Sequence, residues 1–149
     1  MITFKVEGAD VMARKFARAA VIVPAKAVPS GLQKCGLLVE RSAKIKAPVG
    51  DTGHLRGNIR VTNLTPVSVD VVSHADYSVY VEVGTDPHDI RPKNGKALFW
   101  PGAAHPVAVV HHPGTPAQPF MRPALDENKA QIMVILGREV VTTVQGAIA

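Results

Sequence analysis

The sequence predicts an α+β fold: an antiparallel sheet with N-terminal helices and a long C-terminal helix packed on it. Two patterns carry this expectation. Apolar residues recur every three or four positions in residues 25–39 and 125–148, the period of a helix that buries one face. Between them, "IRVTN" and "VSVDVVS" alternate apolar and polar residues around "LTP", as in a hairpin with one covered face. Helices, then strands, then a helix is the order of an α+β layout rather than of alternating βαβ units. The 149 residues suit a single domain spanning 1–149. A chain of that size buries roughly 68–70% of its unfolded surface.

Taken in order, "ITFKVEG" sets Ile2, Phe4 and Val6 on one face and Thr3, Lys5 and Glu7 on the other, a short strand that Gly8 ends. Asp10 is a candidate cap for a helix over "VMARKFARAA". In the next stretch Ala25, Val28, Leu32, Cys35 and Val39 share one helical face, yet Pro29 lies inside it. Proline has no N–H to donate and is harmless only in a first turn. The helix therefore starts near Lys26 or kinks at Pro29. Ser30 with Gln33 fits a capping box and favours the later start. Pro48 ends the helix at Ala47 or before.

"VGDTGHLRGN" is a glycine-rich loop, and the hairpin follows it. "YSVYVEVGT" fits two patterns. Tyr77, Val79, Val81 and Val83 share a strand face, while Tyr77, Tyr80, Val81 and Gly84 share a helical one. Residues 86–96, "DPHDIRPKNGK", read as an exposed flexible loop. "ALFWPG" and "PVAVVHH" are candidates for a second strand pair around "AAH". Leu125, Ile132, Leu136, Val140, Val144 and Ile148 mark the stripe of one closing helix. Pro123 is tolerable there if that helix begins at Phe120 or later.

Several function classes lose support from composition. No apolar run approaches the roughly 18–20 residues that cross a membrane. Residues 1–10 lack the basic segment and apolar core of a secretory signal, so the expected place of synthesis is the host cytoplasm. Cys35 is the one cysteine, lies on an apolar helical face, and reads as a small core residue rather than a nucleophile. His111 and His112 are adjacent and would point to opposite faces of a strand, a poor start for a metal site. "GDTGHLRG" lacks the Gly-Lys-Ser/Thr ending of a phosphate loop. No catalytic, cofactor-binding or metal-binding residue is expected.

Charge is uneven. Residues 1–60 hold 11 Lys/Arg against 4 Asp/Glu, net +7, and residues 61–149 hold 6 against 8, net −2. A basic half can meet nucleic acid or an acidic protein. Aromatic residues are only 5% of the chain and do not interleave with the basic ones, so a base-stacking platform is not expected.

One stretch stands out. Pro113, Pro116, Pro119 and Pro123, with Gly114 among them, stiffen the chain just before the last helix. Each proline fixes φ near −65° and lowers the entropy lost on ordering. Gly114 can take a positive φ. Phe120 and Met121 are candidate anchors. Arg122, in so apolar a segment, needs a carboxylate or carbonyl partner, with Glu82 and the nearer Asp126 as candidates. For Tyr77, Tyr80, Gly84, Phe120 and Pro123, core packing is the plainer expectation and subunit contact the alternative.

Four stretches in this order, "APVGDTGHLRGNI" (47–59), "YSVYVEVGT" (77–85), "PKNGKALFW" (92–100) and "HHPGTPAQPFMRPALDE" (111–127), resemble the phage head–tail joining family. These are the gene-product-ten-like neck, or tail-completion, proteins of long flexible-tailed phages. The resemblance implies a virion protein at the head–tail junction rather than an enzyme. It implies a homo-oligomeric ring, six copies on a sixfold tail, with DNA passing at most through its lumen. Its partners would be other neck proteins: the head-completion or stopper protein, the tail terminator and a portal adaptor. Tyr77, Tyr80, Glu82, Gly84, Thr85, His112, Pro113, Gly114, Pro119, Phe120, Arg122 and Pro123 would then form or position the subunit interface. A tail terminator or minor tail subunit is the nearest alternative. A basic nucleic-acid-binding module and a small histidine-dependent metal hydrolase are the alternatives of other classes.

Overall fold

A computed structural model describes residues 9–50, 52–93 and 95–149. The strand expected over residues 2–7 lies outside them. The chain divides into two compact units, one of residues 1–75 with 120–149 and one of residues 76–119.

The first unit is built on helices. Helix α1 (Ala9–Ile22) runs into a π-helical turn (Val23–Ala27) and on into α2 (Val28–Lys46) without a break. Of the two outcomes expected at Pro29, the start near Lys26 is met to within two residues, since α2 begins at Val28 with Pro29 in its first turn, but the helical ladder carries on from α1 through the π turn instead of starting afresh. In the π turn the Val28 N–H reaches back five residues to the Val23 carbonyl. The looser ladder stands where Pro24 and Pro29 have no N–H to give. It also shifts the phase of the apolar face, because the turn holds an extra residue. Ala25 is exposed and Ala27 is buried, after which Cys35, Val39 and Ala43 continue the buried line. Ser30 makes no capping box. Its hydroxyl donates to Glu139 at 2.9 Å, on the last helix. Asp10 lies inside the first turn of α1 instead of capping it, and it accepts from Arg14 at 2.8 Å. Ala47 is extended, with ψ 127°, and α2 stops at Lys46 ahead of Pro48 as expected.

After the one-turn helix α3 (His54–Gly57) comes the expected hairpin, β1 (Ile59–Thr62) against β2 (Asp70–Ser73). Ile59 pairs with Ser73 and Thr62 with Asp70. The loop between them is closed by Thr65, whose Oγ1 accepts from the Ser68 N–H at 2.9 Å. The unit ends in α5 (Met121–Asp126) and α6 (Lys129–Ile148). One long closing helix was expected, and two are found. The chain breaks at Glu127–Asn128, where the Asn128 side chain donates to the Ala124 carbonyl at 2.8 Å and its backbone N–H bonds Leu125 at 3.2 Å. Asparagine favours such local bonds over continuing a helix. Pro123 lies in the first turn of α5, where it costs nothing. α6 packs on α1 and α2. Lys15 donates to the Ile148 carbonyl at 2.5 Å and so caps the C-terminal end of α6. Lys34 and Ser30, one turn apart on α2, hold the Glu139 carboxylate below the usual range, Lys34 the more strongly.

The second unit contains α4 (Ser78–Val83), β3 (His88–Ile90) and β4 (Val110–His112). For "YSVYVEVGT" the helical pattern prevails over 78–83, and Gly84 ends the helix at φ +77°. β3 falls inside the stretch read as a loop, residues 86–96. It pairs with β4 in antiparallel register, His88 with His112 and Ile90 with Val110. The expected strand pair around "AAH" shrinks to one bridge between Leu98 and Val107, since Val110–His112 pair with β3 instead. In place of the single expected sheet, the described residues form two separate two-stranded sheets. The fold class stands: α+β, with N-terminal helices, small antiparallel sheets and a long C-terminal helix.

Candidate functional site

The residues singled out from sequence fall into two groups. Nine of the twelve (Tyr77, Tyr80, Glu82, Gly84, Thr85, His112, Pro113, Gly114 and Pro119) lie in the second unit, and Phe120, Arg122 and Pro123 lie in the first.

In the second unit the proline-rich segment is clasped to the end of α4. Thr85 and Thr115 exchange backbone bonds, N–H to carbonyl at 2.9 and 3.1 Å, and the Gln118 N–H donates to the Val81 carbonyl at 2.8 Å. Two glycines make this approach possible. A Cβ on Gly84, at φ +77°, would stand 2.6 Å from the Thr115 carbonyl oxygen. A Cβ on Gly114, at φ +86°, would stand 2.3 Å from that of Thr85. Each glycine thus clears space for the other segment's backbone, and each occupies a conformation that side chains resist.

His112 continues the clasp. Its Nδ1 accepts the Gly114 N–H at 3.1 Å, and its ring stacks on His88 with centroids 5.0 Å apart. On the other face of the ladder His111 meets Asp89 at 2.5 Å and holds that carboxyl below the usual range. Tyr80, Gly84, Thr85, His88 and His112 line a shallow depression of about 680 Å³. Sequence reading missed His88 and Thr115. The alternation of β3 is hidden by Pro87 and by polar residues at its ends.

Tyr77 and Tyr80 correct the core-packing expectation, being 43% and 60% exposed. No residue of α4 is buried. The six-residue helix thus leaves Val79, Tyr80 and Val83 exposed as an apolar face. Phe120 meets its expectation, fully buried in the first unit beside the equally buried Ala124. Met121 lines an apolar cavity of about 490 Å³ with Leu32, Cys35, Val39, Val71 and Leu125. Cys35 is buried, its Sγ lies 3.8 Å from the Ile132 carbonyl, and burial pushes its thiol pKa up. That is the setting of a packing residue rather than a nucleophile.

Arg122 finds the nearer of its two candidate partners and lies at the rim of that apolar cavity. Its side chain is 87% exposed, and its Nε lies 3.8 Å from Asp126, the local candidate. Asp126 is held more firmly by Lys129, at 2.7 Å, which lowers its pKa. Among the described residues no group of three or more His, Cys, Asp or Glu is arranged to hold a metal ion. No described helix is long and apolar enough to cross a membrane.

Comparison with known proteins gives one match. Residues 10–84 match the family described as "Bacteriophage HK97-gp10, putative tail-component". No curated protein and no solved structure matches the chain. The matched span takes in α1 through α4 and ends at Gly84, the first glycine of the clasp. The chain belongs to the HK97-gp10-like family of bacteriophage tail components.

Proposed function

We propose that this tail component is a neck, or tail-completion, subunit that forms a closed ring of six at the head–tail junction and joins the capsid connector to the tail. The observation that carries the reading is the distribution of exposed apolar side chains. Phe16 on α1, Ile45 on α2, Tyr80 on α4 and Met133 on α6 are 57%, 69%, 60% and 70% exposed. A subunit of a closed ring needs two different patches that meet head to tail, and several such surfaces suit it. The family places the chain among virion structural proteins, and binding and geometry account for such a role with no bond made or broken. Ring neighbours would include the head-completion or stopper protein, the tail terminator and a portal adaptor, with DNA passing through the lumen.

Within this reading the segment 112–123 acts as a bracket. A ring closes only when the rotation between neighbours is fixed. Pro113, Pro119 and Pro123 restrict φ, Gly114 is clasped by Thr85, and Phe120 is seated in the core. Tyr77, Tyr80, Glu82 and His112 would present the contact face, and Arg122, exposed at the start of α5, would extend it. The description of the family as tail components favours, as the second reading, a tail terminator or minor tail subunit at the end of the tail tube.

Light scattering over a concentration series, with negative-stain imaging, tests this for the full chain alone and mixed with adjacent virion proteins. Six-copy rings are expected. A chain that stays monomeric with each of those proteins overturns the reading. Pro123→Ala and Arg122→Ala should keep the fold and lower ring yield; virions carrying either change that join heads to tails normally overturn the bracket.

A further inference from the structure

Helices α2 and α3 carry a depression of about 570 Å³ lined by Leu37, Glu40, Arg41, Lys44, Ile45 and Arg56. Leu37, Arg41, Lys44 and Ile45 recur at helical spacing and so share a face of α2. Leu37 is 52% exposed and Ile45 69%. Glu40 is already engaged, for its carboxylate accepts from Lys44 at 2.5 Å and from the Val61 backbone N–H at 2.7 Å. Those two charges cancel. Arg41 and Arg56 are exposed and enter no ion pair among the described residues. The depression therefore sets two apolar side chains beside two uncompensated guanidinium groups.

Such a surface fits a partner that is both apolar and acidic, and the chain carries one itself. Val79, Tyr80 and Val83 share one face of α4 and are 63%, 60% and 67% exposed. Asp76 and Asp86 flank that helix, are exposed, and enter no ion pair among the described residues. Two carboxylates beside an apolar helical face are the complement of two guanidinium groups beside an apolar groove. A nucleic-acid backbone matches the groove less well. It calls for cations without large aliphatic groups between them, and no aromatic ring lines this depression for a base to stack on.

We propose that α4 of one copy docks on the Leu37–Ile45 face of the next, with Tyr80 as the anchor and Asp76 and Asp86 set against Arg41 and Arg56. Tyrosine and arginine are the side chains that most often dominate such contacts. The contact joins two different patches, so it repeats head to tail. It rests on the ring reading and adds the surfaces that would make the ring.

Charge exchange in the full-length chain tests it, read by sedimentation and light scattering. Arg41→Glu with Arg56→Glu should raise the concentration needed for half-assembly by about tenfold or more, because like charges then face each other. Asp76→Lys with Asp86→Lys should do the same. Each double variant should melt as the parent does. The variant carrying all four changes should assemble again, and so should an equal mixture of the two double variants. If the parent assembles and the double variants assemble equally well, the docking is overturned and the ring stands. The same holds if the arginine variant assembles normally and loses only DNA binding. Failure of both the fourfold variant and the mixture to assemble also overturns the docking. A parent chain that never assembles overturns the docking and the ring together.

Discussion

The two units hold their shape by different means. Among the described residues the first buries twelve apolar ones, including Phe120 and Ile59 with no exposed surface at all. In the second, none of the described residues from 76 to 119 is buried. It relies on paired backbone, three glycines at positive φ, stacked imidazoles and prolines. A core is worth roughly 25 cal/mol per Å² of apolar surface removed from water, and the second unit has almost none to remove. Backbone bonds net only about 1 kcal/mol each. The difference teaches that the first unit holds its shape around a core, and that the second leaves its apolar side chains, Val79, Tyr80 and Val83 among them, at the surface.

Three changes test that contrast, in falling order of effect. Phe120→Ala empties the centre of the first unit and should cost about 3–5 kcal/mol in denaturant unfolding; a midpoint that barely moves would mean the core is not where the buried side chains are. Gly114→Ala forces a side chain onto the Thr85 carbonyl at φ +86°. It should cost about 1–3 kcal/mol, felt within the second unit. Amide exchange should quicken at Thr85 and Thr115 and stay unchanged in α2 and α6. Uniform change across both units would erase the distinction.

Glu40→Gln sharpens the picture on the scaffold side. Lys44, chiefly, and the Val61 N–H hold the Glu40 carboxyl below its ordinary value of 4.5. A depressed carboxylate stabilises the fold above that value and stops doing so as pH falls through its lower folded value. The glutamine variant keeps an acceptor for Val61 and loses the charge. It should be about 1 kcal/mol less stable at neutral pH, with the gap closing below pH 4.5. A gap that persists in strong acid would show that shape rather than charge sets the cost.

Legibility in the sequence follows the same line as stability. Where burial decides, the pattern is readable. The face of α2 from Cys35 onward, the stop at Pro48, the hairpin at 59–73 and the stripe of α6 all have the period of an element with one covered side. Where backbone chemistry decides, it is not. The π turn at Val23–Ala27 absorbs Pro24 and leads into the first turn of α2, which holds Pro29, where a propensity argument can only see breaks. The break at Asn128 depends on one side-chain bond to Ala124, which no apolar period records. β3 is three exposed residues whose partner lies more than twenty positions away. At the candidate site, the positive φ of Gly114 and the burial of Phe120 follow from residue type, whereas Gly84, expected to pack or to meet a subunit, instead ends α4 at positive φ. The partnership of His88 with His112 does not follow from residue type, because only the register of β3 on β4 creates it.

The Thr85–Thr115 clasp has a consequence for how such a chain can vary. It ties off the base of a thirty-residue excursion, and among the described residues the part beyond Ile90 is braced by the Leu98–Val107 bridge and a turn in which the Ala103 N–H donates to the Trp100 carbonyl. Residues between those ties can be lengthened, trimmed or exchanged while the root stays fastened.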